Sequence, residues 1–316
     1  MKTTLSSSSM LRSLTISLMR LSTSSAVAPL PLTTPFGHQL HHTLQSLQTD
    51  SQNANGVLHA LVDVSTATQQ ITLNSLSHFT TCQPAASDRK IIDDYLDFNV
   101  KMLDTCNDIT EKIDTIRNYV ESLKVVSHLL QSNIEPHPTT LARAKHLLDS
   151  CHNAMETNKR PFKRFFSQKL AQSSSSDSLL GEILGGSKAV TSMVCEILRT
   201  ALSFKSKQRL SLLPQSTRSS SWSCSLQLLQ KQIKKHQKSG SSMMLVELHQ
   251  TVKEAHNLRN QIKGRNKTRS GDVEELKTRC EELEAEIKPF EGKVKEMYKH
   301  LISVRMALLG ILSSQF

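Results

Sequence analysis

The sequence predicts an all-α protein, a multi-helix bundle with long, coiled-coil-like central and C-terminal helices, and three observations predict it. The first is the stretch 91–132. Stepping alternately by three and four residues from Ile92 meets Tyr95, Asn99, Met102, Cys106, Ile109, Ile113, Ile116, Val120, Leu123, Ser127 and Leu130. Ten of these twelve positions are apolar or Cys, with Asp, Glu, Lys and Arg between them, which is the stripe of a helix that buries one face. It runs without Gly or Pro for about 39 residues, or roughly 58 Å. The second observation is the same stepping from Val273 through Leu276, Cys280, Leu283, Ile287, Phe290, Val294, Met297, Leu301, Val304, Leu308 and Ile311. All twelve of these are apolar or Cys. The third is composition: aromatics are 4% of the chain, and most of its ten glycines and nine prolines lie outside the two periodic stretches, as helix punctuation should. A helix of this length cannot hide its stripe alone, so the 273–311 segment is expected as its main packing partner, with shorter helices around the pair.

The elements follow in order. Residues 1–35 hold nine Ser, six Thr, three basic residues (Lys2, Arg12, Arg20) and no acid, and the first acidic residue is Asp50. Two readings stand for this leader: an organellar transit peptide, directing the protein to a chloroplast or another organelle, or a disordered tail. Without import, the cytoplasm or a peripheral membrane surface is expected; Arg12 and Arg20 interrupt the apolar run that secretion would need. The helical domain spans 36–316. Leu40, Leu44, Leu47, Ala54, Leu58 and Leu61 recur at helical spacing with a break near Asn53–Gly56, giving two helices up to Phe79. His38, His41 and His42 have the spacing of metal ligands, but no carboxylate or Cys stands near, so no metal is expected.

Pro84–Asp88 reads as the loop into the central helix, which ends before Pro136 and Pro138. Thr139 or Thr140 caps the next helix, on Leu141, Ala144, Leu148, Cys151 and Met155. The segment Lys159–Lys169 is basic and aromatic. Lys159, Arg160, Lys163 and Arg164, with Phe162, Phe165 and Phe166, suit either an anionic membrane surface or a connection packed on the bundle. Ser173–Ser178 is a low-complexity linker, and Val190, Met193, Val194, Ile197, Leu198 and Ala201 mark a helix after it. The run Gly181 to Lys188 nearly matches a phosphate loop, but Ser187 separates the last Gly from the Lys and a serine run stands where a strand is needed. Residues 203–225 are basic, Ser-rich and without period: a flexible loop in which phosphate on Ser219, Ser220 or Ser221 would meet nearby cations. A helix on Leu226, Leu229 and Ile233 follows, then one on Leu245, Leu248, Val252, Ala255, Leu258 and Ile262 with a basic outer face. The acidic first half of the last segment is expected to lie against this face as an antiparallel hairpin, and Pro289 to kink or break that segment.

One resemblance is carried by two patches. The run Asp94-Tyr95-Leu96-Asp97 followed by Val100-Lys101-Met102-Leu103-Asp104-Thr105-Cys106-Asn107, and the ending Leu301–Arg305 and Leu308–Ser313, resemble the plant BYPASS family. Tyr95, Leu96, Asp97, Leu103, Asp104 and Cys106 are the signature positions. Two features depart from it: Val57–Leu61 replaces the tryptophan-led helix expected before the signature, and the leader matches nothing in the family. The resemblance implies a regulatory protein without catalysis, acting in root and shoot development by restraining a root-derived mobile signal.

The chemistry agrees in what it lacks. No nucleophile elbow, phosphate loop, dinucleotide fingerprint or zinc spacing is present, so neither enzyme activity nor a cofactor is expected. The acids Asp93, Asp94, Asp97 and Asp104 lie near one another on the polar side of the central helix. The net charge of +11 is spread over several helices and loops; it suits solvated faces, and no nucleic-acid partner is expected. Six scattered cysteines without a C-x-x-C pair point to a reducing compartment. Unidentified protein partners, met through helix faces by a monomer or weak oligomer, are the expectation; the alternative is a coiled-coil tether at a membrane surface.

Overall fold

The structure is a computed structural model that describes residues 34–49, 54–79, 85–131, 137–157, 178–204, 221–238, 245–264 and 270–313. Among the described residues there are eight α-helices and no strand: α1 (Pro35–Thr49), α2 (Ala54–Leu76), α3 (Ala86–Gln131), α4 (Pro138–Thr157), α5 (Leu179–Ala201), α6 (Ser221–Lys238), α7 (Val246–Lys263) and α8 (Ser270–Ser313). The leader, Cys82, the basic-aromatic segment with Lys159, Arg160, Lys163 and Arg164, and Ser219 and Ser220 lie outside the described residues.

Both long stripes are core. Every one of their twenty-four positions is buried, including the two polar exceptions on α3. Asn99 donates from Nδ2 to the carbonyl of Leu301 at 3.0 Å, and Ser127 bonds back to the carbonyl of Leu123 at 3.1 Å. These bonds offset part of the cost of burying the two side chains, although Asn99 Oδ1 is buried without a partner. The two helices pack antiparallel, as their cross-links show: Arg117 pairs with Glu291 and Lys124 with Glu284, while Gln131 bonds Glu274. As the α3 number rises, the α8 number falls.

Around this pair the shorter helices build two four-helix bundles set end to end. The first half of α3 and the last half of α8 pack with α2 and α5; the other halves pack with α4 and α7. At 46 and 44 residues, α3 and α8 are about 69 and 66 Å long and run through both bundles. Helices α5 and α7 meet where the bundles join, and the Leu245 N–H donates to the Ala201 carbonyl at 3.0 Å. Helix α1 lies outside against α2, α5 and α6. Its approach to α5 requires Gly186, where an added Cβ would stand 2.9 Å from Phe36 Cε1. The expected hairpin of α7 and α8 is present: Thr251 bonds the Arg279 carbonyl at 3.1 Å and Gln261 bonds Asp272 at 3.0 Å. Asp149 of α4 ties in α7 through Arg259 at 2.5 Å and Lys263 at 3.0 Å, and these cations hold its carboxyl below the usual carboxylate range.

Several boundaries differ from the sequence expectation. Helix α3 begins at Ala86, inside the expected loop, since nothing in Ser87–Lys90 breaks a helix. Helix α2 begins at Ala54 and carries Gly56 in its first turn, where a glycine costs little. Thr139 and Thr140 are not caps. Pro138 takes the first position of α4, which its missing N–H allows, and the N–H of Thr140 bonds the His137 carbonyl at 2.9 Å. The run Gly181–Lys188 is helical, forming the first turns of α5; Ser178 caps it, its Oγ accepting from the Gly181 N–H at 3.1 Å. Ser221–Ser225 belong to α6 rather than to a loop, because Trp222, Ser223, Ser225 and Leu226 bury a face there.

Pro289 neither ends α8 nor divides it. Proline in a helix interior costs about 3 kcal/mol through a lost hydrogen bond and a ring clash. Here the ring is exposed, while Ile287 and Phe290 on either side of it are buried, Phe290 edge-on to His59 at 5.4 Å. Packing on both sides holds the helix through the proline. Pro289→Ala is therefore expected to stabilise the fold by about 1–3 kcal/mol, read as a higher midpoint in a urea melt; an unchanged midpoint would mean that the backbone has already relaxed around the ring.

Candidate interaction site where the two sequence patches meet

The two sequence patches lie some 200 residues apart in the chain and face each other at one end of the first bundle. Arg305 Nη1 donates to the carbonyl of Leu96 at 3.0 Å, and Asn99 donates to Leu301. Each bond runs from a side chain of one patch or its immediate sequence to the backbone of the other. A side chain that bonds a partner helix's backbone fixes the register of the two helices, which apolar packing alone leaves free to slip.

Beneath this seam sits a buried polar network. Gln69 of α2 donates from Nε2 to Ser187 Oγ at 3.0 Å and to Thr191 Oγ1 at 2.6 Å, both on α5. The Tyr95 hydroxyl donates to Gln69 Oε1 at 3.2 Å and lies 2.7 Å from Ser187 Oγ. All four side chains are buried. Burial pushes the Tyr95 phenol up to about 12, so it stays neutral at physiological pH, and the network carries no charge. What it supplies is alignment: α2, α3 and α5 are locked together at the signature tyrosine. Lys188, the last residue of the near-miss phosphate loop, lies over the Phe98 ring at 5.5 Å. Burial lowers its pKa, and Asp94 works against that.

The remaining signature positions divide into core and rim. Cys106 is buried against Cys195 of α5; its hydrogen bond to that thiol, with burial, pushes its pKa well up, so it packs as a small apolar group and not as a nucleophile. Burial likewise pushes Cys280 up to about 12. Leu96 and Leu103 are half-buried beside the α8 seam, whereas Asp97 and Asp104 are exposed. His41 meets Ser225 of α6 at 2.7 Å, and His38 and His42 are exposed. Among the described residues no group of three or more His, Cys, Asp or Glu side chains is placed to hold a metal ion, and no described helix is long and apolar enough to cross a membrane. Ser221 opens α6 and is half-buried.

Periodicity missed the outer face of this end. On α8, Ile302, Met306 and Leu309 are 39%, 61% and 38% exposed, and Val100 on α3 is 42% exposed. Ile302 and Leu309 lie three and four residues from Arg305, Met306 lies four and three residues from those two, and Val100 lies four from Leu96. This puts both sets along the rim of one seam, since residues three and four apart share a helix face. A signal was present in the sequence: an apolar residue off the stripe in each family-like patch. An exposed Leu by itself carries no such meaning, and it takes the fold to gather four into one strip.

These features define an all-helical double bundle whose two diagnostic patches are clamped together over a neutral polar core. The family model described as Protein BPS1 matches residues 58–311, and the chain belongs to this BPS1, or BYPASS, family. The match takes in the first patch and the second as far as residue 311, and it leaves out α1 and the leader. No curated protein and no solved structure matches the chain. Membership makes it a BYPASS-like protein of plant developmental regulation.

Proposed function

We propose that the protein is a non-enzymatic regulator that restrains a root-derived mobile signal, and that it does so by protein–protein contact through the exposed strip of Val100, Ile302, Met306 and Leu309. One observation carries the reading: the strip is built on the two patches that mark the family, and the interior beneath it is bonded so as to hold them in register. The coiled-coil tether is the weaker reading. The regularity of the α8 stripe speaks for it, but all twelve stripe positions are taken up within the chain, leaving no seam for a second helix pair.

The test is complementation in plants lacking the endogenous protein. The wild-type chain is expected to restore shoot growth, and a Met306→Asp/Leu309→Asp variant to fail while its purified form keeps the wild-type melting temperature. Full rescue by that variant would refute the assignment of function to this strip.

A further inference from the structure

The acids of the rim stand on its α3 side, with Lys101 among them, while on α8 the charges nearest the strip are Arg305, half-buried at the seam, and Lys299, one turn before Ile302; this points to the chemistry of its partner. Asp93, Asp97, Val100 and Asp104 recur by four, three and four residues along α3, so Val100 sits in a line of exposed carboxylates. Asp93, Asp97 and Asp104 form no ion pair or hydrogen bond among the described residues. On the α8 side the exposed positions from Ile302 to Ser313 are Ile302, Ser303, Met306, Leu309, Gly310 and Ser313, none of them charged. The surface is therefore an apolar floor, two helical turns long, with a wall of unpaired acids along one edge. On a chain of net charge +11 that wall is a local reversal of sign.

We infer that this strip binds an amphipathic helix of a partner protein that carries Lys or Arg along one flank of its apolar face. Apolar side chains cover Met306, Leu309, Ile302 and Val100, and the basic flank pairs with Asp93, Asp97 and Asp104, which set orientation and rate of encounter. An anionic membrane is disfavoured, since the same carboxylates would face lipid phosphates. A second copy of the chain is disfavoured because it brings its own row of acids to the contact. The inference rests on the proposed function in taking this strip as the working surface, but it is tested without reference to plant development.

The probe is a synthetic 18-residue Leu/Lys amphipathic helix, titrated by fluorescence anisotropy against the full-length protein. A Leu/Glu peptide with the same apolar face is the comparison. The Leu/Lys helix is expected to bind and the Leu/Glu helix not to bind. Met306→Asp should weaken binding at least tenfold, Asp97→Asn/Asp104→Asn should weaken it several-fold and flatten its salt dependence, and Val125→Asp, an exposed site in the other bundle, should leave it unchanged. Four outcomes would overturn the inference: equal binding of both peptides; Leu/Lys binding that ignores Met306→Asp; a dimer by light scattering that Met306→Asp turns into a monomer, which makes a second copy the occupant; or association with anionic vesicles that Met306→Asp abolishes. Probe binding that emerges only on deletion of residues 1–33 would also overturn it, making the chain's own basic leader the occupant. Failed complementation with intact peptide binding leaves the inference standing and sinks the assigned function; the reverse pattern does the opposite.

Discussion

Ile113→Asp is expected to abolish the cooperative thermal transition of this protein, and Leu283→Asp to do the same. Both side chains are fully buried on the stripes of α3 and α8, and no cation stands on either stripe to meet a new carboxylate. An aspartate at either place must be buried ionised, be buried protonated without a partner, or break the packing. Adding a large-to-small loss of about 2–5 kcal/mol to the several kcal/mol for an unpaired polar group consumes most of a native stability of about 5–15 kcal/mol. Circular dichroism should show a broad, low-amplitude melt, and gel filtration an expanded or aggregated species. Val125→Asp is the control: Val125 is 47% exposed on the same helix, and its variant should melt within a few degrees of wild type. An Ile113→Asp protein with the wild-type Tm would mean that α3 does not bury this face.

Gln69→Ala is the second large effect expected. It removes both donor bonds to Ser187 and Thr191, takes away the acceptor of Tyr95, and leaves a hole where a side chain was fully buried. The expected cost is about 2–4 kcal/mol, most of it from polar groups left unbonded and from the cavity. In a domain of this size that is a Tm lower by roughly 4–16 °C. A fully apolar replacement, with Gln69→Leu, Tyr95→Phe, Ser187→Ala and Thr191→Val together, should recover much of the loss, because it leaves no orphaned donor. If Gln69→Ala melts like wild type, water has replaced the amide and the network does not tie α2 to α5. If the quadruple variant melts below Gln69→Ala, shape rather than hydrogen bonding is what the network supplies.

The sequence was most informative where one rule dominated. Apolar positions recurring by three and four identified both long helices, and burial follows them residue for residue, including Asn99 and Ser127, which break the pattern in composition but not in place. The α7–α8 hairpin was legible, but not through the charges that suggested it: Arg259 and Lys263 of α7 pair with Asp149 of α4, and the hairpin is tied by Thr251 to the Arg279 carbonyl and by Gln261 to Asp272. Ends were less legible, since they turn on contacts that a local pattern does not hold. Ser221–Ser225 read as loop because serine favours turns, yet the face around Trp222 is buried in α6. Pro289 read as a break because local cost was weighed without the packing of Ile287 and Phe290. The site was half legible. Tyr95 and Cys106 stood out by resemblance, but Gln69, Ser187 and Thr191 sit on two other helices and carry no pattern of their own. Only the three-dimensional meeting of α2, α3 and α5 turns three ordinary polar residues into one structure.

The sharing of α3 and α8 between both bundles bears on how the chain is made. Helix α3 is complete at Gln131, but its longest partner begins only at Ser270. The ribosome adds roughly 5–20 residues per second, so that α3 waits on the order of 10 s or more with the side of its stripe that α8 covers left open, although α4 and α5 are made earlier and pack on its other sides. Neither bundle can close without α8, so a nascent chain cannot finish one half and bank it. The protein should depend on holding chaperones during synthesis, and truncations ahead of α8 should accumulate as insoluble chains rather than as smaller folded proteins.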